Sequence, residues 1–76
     1  MNVQELTFLR DHISIEILFW RDIYFTFNNI LNEEQDRQIR LHIQAFLRTV
    51  DRLIQQLRFE HQVLERDIQG ILRMRR

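Results

Sequence analysis

The sequence has no cysteine, no proline and no lysine, and its single glycine is Gly70. The lack of cysteine excludes a disulfide framework, thiolate metal ligands and a cysteine nucleophile, and it agrees with a cytoplasmic location. A β-rich fold with tight turns would need the glycine and proline that are missing here. The segment 1–5 lacks the basic region and apolar stretch of a secretory signal peptide. The absences therefore favour a helical protein of a reducing compartment.

The chain is short and electrically balanced. Its 76 residues predict one domain, 1–76, close to the size at which a single core barely offsets chain entropy. Eleven arginines balance eleven acidic residues, so the net charge indicates neither a strongly basic nucleic-acid binder nor an acidic partner. No phosphate loop, nucleophile elbow or metalloprotease motif occurs. We therefore expect a protein that is not an enzyme and needs no cofactor.

A turn is predicted at residues 31–33, between a first helix of about residues 3–31 and a second of about 33–75. Asn32 is a favourable N-cap, and Gln35 follows at the spacing of a capping box. The second helix would be about 65 Å long at 1.5 Å per residue. Because it is the longer helix, its last turns are expected to project beyond the first.

The second helix carries a heptad pattern of apolar residues, which is typical of helices that pack in pairs. The predicted seam runs through Ile39, Ile43, Phe46, Val50, Leu53 and Leu57. It resumes at His61, Leu64, Ile68 and Ile71 after a four-residue step in place of three, which should locally unwind a supercoil.

The first helix is apolar on more than one side. Its predicted seam is Leu6, Leu9, Ile13, Ile17, Trp20, Tyr24, Phe27 and Leu31, while Phe8, Ile15 and Phe19 lie opposite and Leu18 and Phe25 on a third side. Two strands at 13–17 and 23–27 are the alternative, but the connection between them has no glycine or asparagine for a turn. Charges interrupt the apolar run, so we expect no membrane span.

Two helices cannot bury all these apolar faces. The sequence therefore predicts an all-α fold: a two-helix antiparallel hairpin, the second helix longer, that assembles as a homodimeric four-helix bundle. The predicted oligomer interface consists of Phe8, Ile15 and Phe19, with Leu64, Ile68 and Ile71 from the projecting turns. A tetramer and either docking orientation remain alternatives.

Arginine and glutamine occupy the face of the second helix opposite its seam. This Arg/Gln stripe comprises Arg37, Arg40, Gln44, Arg48, Arg52, Gln55, Arg58, Gln62, Arg66, Gln69, Arg73 and Arg76. Leu41 and Phe59 point the same way. A solvated outer face is the simplest interpretation, but such faces usually mix both signs of charge. The predicted partner-binding residues are Arg48, Arg52, Arg58, Phe59, Arg66 and Arg73.

Three polar interactions are also predicted. Glu16 should lie level with Arg48 and Arg52 and form a partly buried ion pair that sets the register. His12 with Glu16, and His61 with Glu65, have the i, i+4 spacing of either an ordinary side-chain pair or two metal ligands. On the seam, His61 is expected to be a hydrogen-bonded core histidine rather than a ligand.

The layout resembles the Rop family of plasmid proteins, in which dimers of helical hairpins bind RNA. The likeness covers the architecture and the acidic turn of residues 29–35, whereas the second helix is much longer here. The leading hypothesis is a dimeric adaptor, regulator or inhibitor that binds a protein. The alternative is an RNA- or DNA-binding regulator that uses the Arg/Gln stripe, and a metal-binding bundle is a third hypothesis.

Overall fold

The computed structural model describes residues 2–75 as two antiparallel α-helices joined by a short turn. Helix α1 spans Val3–Glu33 and helix α2 spans Arg37–Met74, and together they form a rod of 60 × 15 × 14 Å. The predicted all-helical hairpin with a longer second helix is confirmed. Both segments considered as strands lie inside α1, and no strand occurs between residues 2 and 75.

The turn lies later in the chain than predicted. Asn32 belongs to the last turn of α1, and the N-cap of α2 is Asp36, whose carboxylate accepts hydrogen bonds from the backbone N–H groups of Gln38 at 2.9 Å and Ile39 at 3.1 Å. Both residues are good N-caps. The Glu34 carboxylate favours the later position, because it accepts hydrogen bonds from the backbone N–H groups of Gln35 and Asp36 and so stabilises a three-residue turn before α2.

One arginine of the predicted stripe closes this turn. Nη1 of Arg40 donates hydrogen bonds to the carbonyl oxygens of Leu31 at 2.7 Å and Glu34 at 2.8 Å. The last carbonyl groups of a helix have no partner within the helix, and a cation is favourable at that end of the helix dipole. Arg40 therefore stabilises the end of α1 and is half-buried rather than presented to a partner.

The buried side chains of α2 follow an uninterrupted heptad. They are Ile43, Leu47, Val50, Ile54, Leu57 and Ile68, and the half-buried His61, Leu64 and Ile71 continue the alternating steps of four and three. The predicted seam was therefore wrong at three positions, since Ile39 is 46% exposed, Phe46 is 38% exposed and Leu53 is only half-buried. With Leu47 and Ile54 in the seam, the insertion predicted before His61 disappears.

The seam of α1 is narrower than predicted. Leu6 and Ile13 are buried and Ile17, Trp20, Phe27 and Leu31 are half-buried, whereas Leu9 and Tyr24 are exposed. The heptad position between Leu6 and Ile13 belongs to Arg10 rather than Leu9. Because an arginine occupies this position, a polar contact between the helices lies within the apolar seam.

The predicted projection of α2 is absent. Ile68 is only 3% exposed, and Leu64 and Ile71 are half-buried within the hairpin. Leu6, near the start of α1, borders the same shallow cavity as Ile71. The later turn lengthens α1 and shortens α2, so α1 covers turns that were expected to be bare. Within residues 2–75, neither helix has an apolar stretch long enough to cross a membrane.

Replacement of Leu47 by alanine tests the observed seam. Leu47 is 6% exposed and Leu41, on the same helix, is 48% exposed. We expect Leu47→Ala to lower the free energy of unfolding by about 2–4 kcal/mol and Leu41→Ala to lower it by less than about 1 kcal/mol. Urea denaturation at one fixed protein concentration measures both. Equal losses would mean that the seam is placed wrongly.

The cap of α2 can be tested with a second matched pair. Asp36→Ala should cost about 1 kcal/mol of stability, because two backbone N–H groups lose their acceptor. Asn32→Ala, at the position first predicted as the cap, should change stability by less than about 0.5 kcal/mol. The same denaturation experiment compares them, and a larger loss for Asn32→Ala would place the cap at residue 32.

Candidate interaction surfaces

An ion pair joins the two helices far from the turn. Nη1 of Arg10 lies 2.9 Å from Oε1 of Glu65, and Nη2 lies 3.1 Å from Oδ1 of Asp11. The hydrogen bond with Asp11, together with the negative charges of Asp11 and Glu65, raises the pKa of Arg10. The pair connects the two helices, the kind of contact that was predicted for Glu16.

The predicted pairing of Glu16 with Arg48 and Arg52 is wrong. Oε1 of Glu16 instead lies 3.5 Å from Nε2 of His12, one turn earlier on the same helix. The alignment of the helices explains the error, since Arg58 lines the same cavity as Ser14 and Ile17 of α1. Arg48 and Arg52 are closer to the turn and therefore lie level with a later part of α1.

The outer face of α1 is apolar and open. Phe8 is 75% exposed, Ile15 65% and Phe19 56%, at the spacing of one helical face. Their exposure is what an oligomer interface would require, although the assembly itself stays a prediction. The other half of the predicted interface differs, because Leu64, Ile68 and Ile71 pack within the hairpin.

A second apolar surface, which we call the apolar flank, lies beside the seam. At one end Leu9, Phe59 and Val63 border a cavity of about 350 Å³, and nearer the turn the rings of Phe27 and Phe46 meet edge to face at 5.0 Å. The sequence pattern contained this surface, because Ile39, Phe46 and Leu53, spaced seven residues apart, form a second apolar stripe on α2 beside the seam. Sequence analysis missed it as a surface by placing Phe46 in the seam.

The Arg/Gln stripe is largely open to solvent. All six predicted partner-binding residues are exposed: Arg48, Arg52, Arg58, Phe59, Arg66 and Arg73. None of these five arginines forms an ion pair with an acidic side chain of residues 2–75. Arg40 donates its hydrogen bonds to carbonyl groups at the turn, and Arg76 lies outside the described residues. The stripe therefore presents positive charge that the described acids do not neutralise by contact.

A polar groove lies between the helices on the side opposite the apolar flank. Its cavity of about 410 Å³ is lined by Ser14, Arg21, Arg58, His61 and Gln62, above Ile17 and Leu18. The two arginines come from different helices. Sequence analysis did not select Arg21 or Ser14, because nothing in the spacing of α1 shows which residues of α2 they will meet.

The same arginines also border the neighbouring cavity, which has a volume of about 460 Å³. Asp22 and Asp51 line this second cavity, and Asp51 accepts a hydrogen bond from Nε2 of Gln55 at 3.0 Å. Side chains that donate hydrogen bonds therefore line the Ser14–Gln62 end of the groove, and the carboxylates of Asp22 and Asp51 lie at the other end.

The histidines have different surroundings. His12 stacks beside Phe8 with ring centroids 6.5 Å apart, and His61 is half-buried in the polar groove. Glu65, its expected i+4 partner, instead accepts the hydrogen bond from Arg10. Within residues 2–75, no three His, Cys, Asp or Glu side chains lie close enough to hold a metal ion together. The metal hypothesis therefore has only the exposed His12–Glu16 pair.

No family model, curated protein or solved structure matches this chain. Its function has to be argued from the chemistry of these surfaces.

Proposed function

We propose that this chain is a non-enzymatic interaction module of the cytoplasm, an adaptor, regulator or inhibitor that dimerises and binds a protein partner. The distribution of apolar residues carries the proposal. In the described part of the chain fifteen large apolar side chains are exposed, whereas eight are buried. Contiguous exposed apolar surface in a small protein marks sites of association. A single hairpin therefore leaves a large share of its apolar side chains exposed.

The first partner is a second copy of the hairpin, and the proposed product is a four-helix bundle. The outer face of α1 and the apolar flank are adjacent around α1, so one docked hairpin can cover parts of both. A bundle of this kind buries apolar stripes between near-antiparallel helices. The proposed contacts centre on Phe8, Ile15 and Phe19.

The second partner is a protein with an acidic surface. Arg48, Arg52, Arg66 and Arg73 lie on the face of α2 opposite the seam, which remains outside when hairpins pair. Phe59 adds an exposed aromatic ring at the border between this face and the apolar flank. Arginine and aromatic residues are enriched at the centres of protein interfaces. The end of α2 was expected to project and to contribute to this contact. Because it packs within the hairpin, the proposed contact with a protein partner depends on the arginine face.

Dimerisation is tested by Phe19→Glu, with Phe25→Glu as the matched control. Both are exposed phenylalanines of α1, 56% and 67%, but Phe25 borders the groove on the other side. We expect the wild type to sediment at twice its 9.6 kDa chain mass and Phe19→Glu to weaken the dimer at least about tenfold, because a charge is costly in an apolar interface. Analytical ultracentrifugation measures this. A folded wild-type monomer at high concentration, or equal loss in Phe25→Glu, would contradict the proposed interface.

The second candidate function is RNA or DNA binding through the Arg/Gln stripe. The exposed arginines without acidic contacts favour it, and the zero net charge opposes it. If it is correct, affinity for mixed RNA or DNA falls steeply with salt, and Arg48→Gln/Arg52→Gln reduces both the affinity and the salt slope.

The control for that experiment is Gln4→Glu/Asn29→Glu, which changes the net charge equally on exposed positions of α1. Local phosphate contacts predict that only the arginine variant loses much binding. Equal losses would indicate a general charge effect. No binding at low salt by the folded wild type would end the nucleic-acid hypothesis.

A further inference from the structure

We propose that the polar groove between α1 and α2 binds a phosphate group, held between Arg21 and Arg58. This site is separate from the surface proposed for dimerisation, because it lies on the opposite side of the seam from the apolar flank. It shares Arg58 with the Arg/Gln stripe, but it contains none of the four arginines proposed to contact the protein partner. Both arginines line the same cavity of about 410 Å³, and each comes from a different helix. The hairpin itself therefore brings the two cations together.

At the Ser14–Gln62 end of the groove, the two arginines have no carboxylate of the described residues beside them. Neither Arg21 nor Arg58 has a carboxylate oxygen of residues 2–75 within 4.0 Å. Like charges held in one cleft repel each other and focus positive potential, which raises the local concentration of anions. An anion placed between the two guanidinium groups would replace this repulsion with two attractive contacts.

The remaining polar lining of the groove can donate hydrogen bonds. Ser14 contributes a hydroxyl group, Gln62 an amide and His61 an imidazole, and no carboxylate lines this cavity. Phosphate has several acceptor oxygens and accepts charge-assisted hydrogen bonds from arginine in bidentate geometry. Ile17 and Leu18 add apolar surface beside these donors. Donors from both helices thus line one cavity that is large enough to hold a phosphate ion.

The acidic side chains nearby define one end of the site. Asp22 and Asp51 line the adjoining cavity, so the phosphate is expected at the Ser14–Gln62 end, away from them. Removal of one of these negative charges should improve binding. In Asp51→Asn the side-chain oxygen that remains can still accept the hydrogen bond from Gln55, so this variant changes charge with little change in structure.

The test is titration of the full chain with inorganic phosphate at constant ionic strength, by calorimetry and by amide chemical shifts. We expect Arg21→Gln and Arg58→Gln each to weaken phosphate binding about tenfold or more, and Asp51→Asn to strengthen it severalfold. Arg48→Gln is the matched control, since Arg48 is an exposed arginine of α2 outside the groove. Its affinity for phosphate should equal that of the wild type.

Four results would overturn the proposal: no phosphate binding by the wild type, wild-type affinity in both groove variants, an equal loss in Arg48→Gln, or acetate binding as tightly as phosphate. The last result would assign the groove to carboxylates. The Phe19→Glu variant separates this inference from the proposed function, because phosphate binding by the monomer should match that of the wild type. Loss of dimerisation with phosphate binding retained would leave the groove proposal intact.

Discussion

The pairing of α1 with α2 along one heptad seam is the constraint on which every other feature depends. Five buried residues of α2 from Ile43 to Leu57 alternate in steps of four and three, and Ile68 extends the same repeat to the far end. A helix can present only about a third of its circumference to one neighbour. Once the seam of α2 faces α1, the second apolar stripe of α2 and the outer face of α1 remain exposed to solvent. The Arg/Gln stripe then lies on the side of α2 that faces away from α1.

Polar contacts at each end hold the seam in one register. Arg40 and Glu34 organise the turn, and Arg10 binds Glu65 at the other end. A heptad seam by itself tolerates sliding, because each layer of apolar side chains resembles the next. Partly exposed ion pairs add little stability. Their effect here is to select one alignment, which also determines that Arg21 and Arg58 line the same groove.

The surfaces left open have different chemistry on the two sides of the seam. One side is aromatic and aliphatic, with Phe27 packed against Phe46, and the other carries two arginines, two aspartates and a histidine. Association through the apolar side would leave the polar groove accessible. A small hairpin can in this way combine assembly on one flank with ligand or partner binding on the others, without a separate domain for each.

The sequence by itself determined the two helices, their antiparallel pairing and the segregation of arginine onto one face of α2, because these follow from local spacing and composition. Only the tertiary structure decided which of the two apolar stripes of α2 forms the seam, in which Leu47 is buried and Phe46 is not. It also decided that Asp36, and not Asn32, is the N-cap of α2. Those choices depend on contacts between residues distant in sequence, which periodicity does not encode. For the same reason the placement of Arg21 and Arg58 in one groove could not be read from either helix alone.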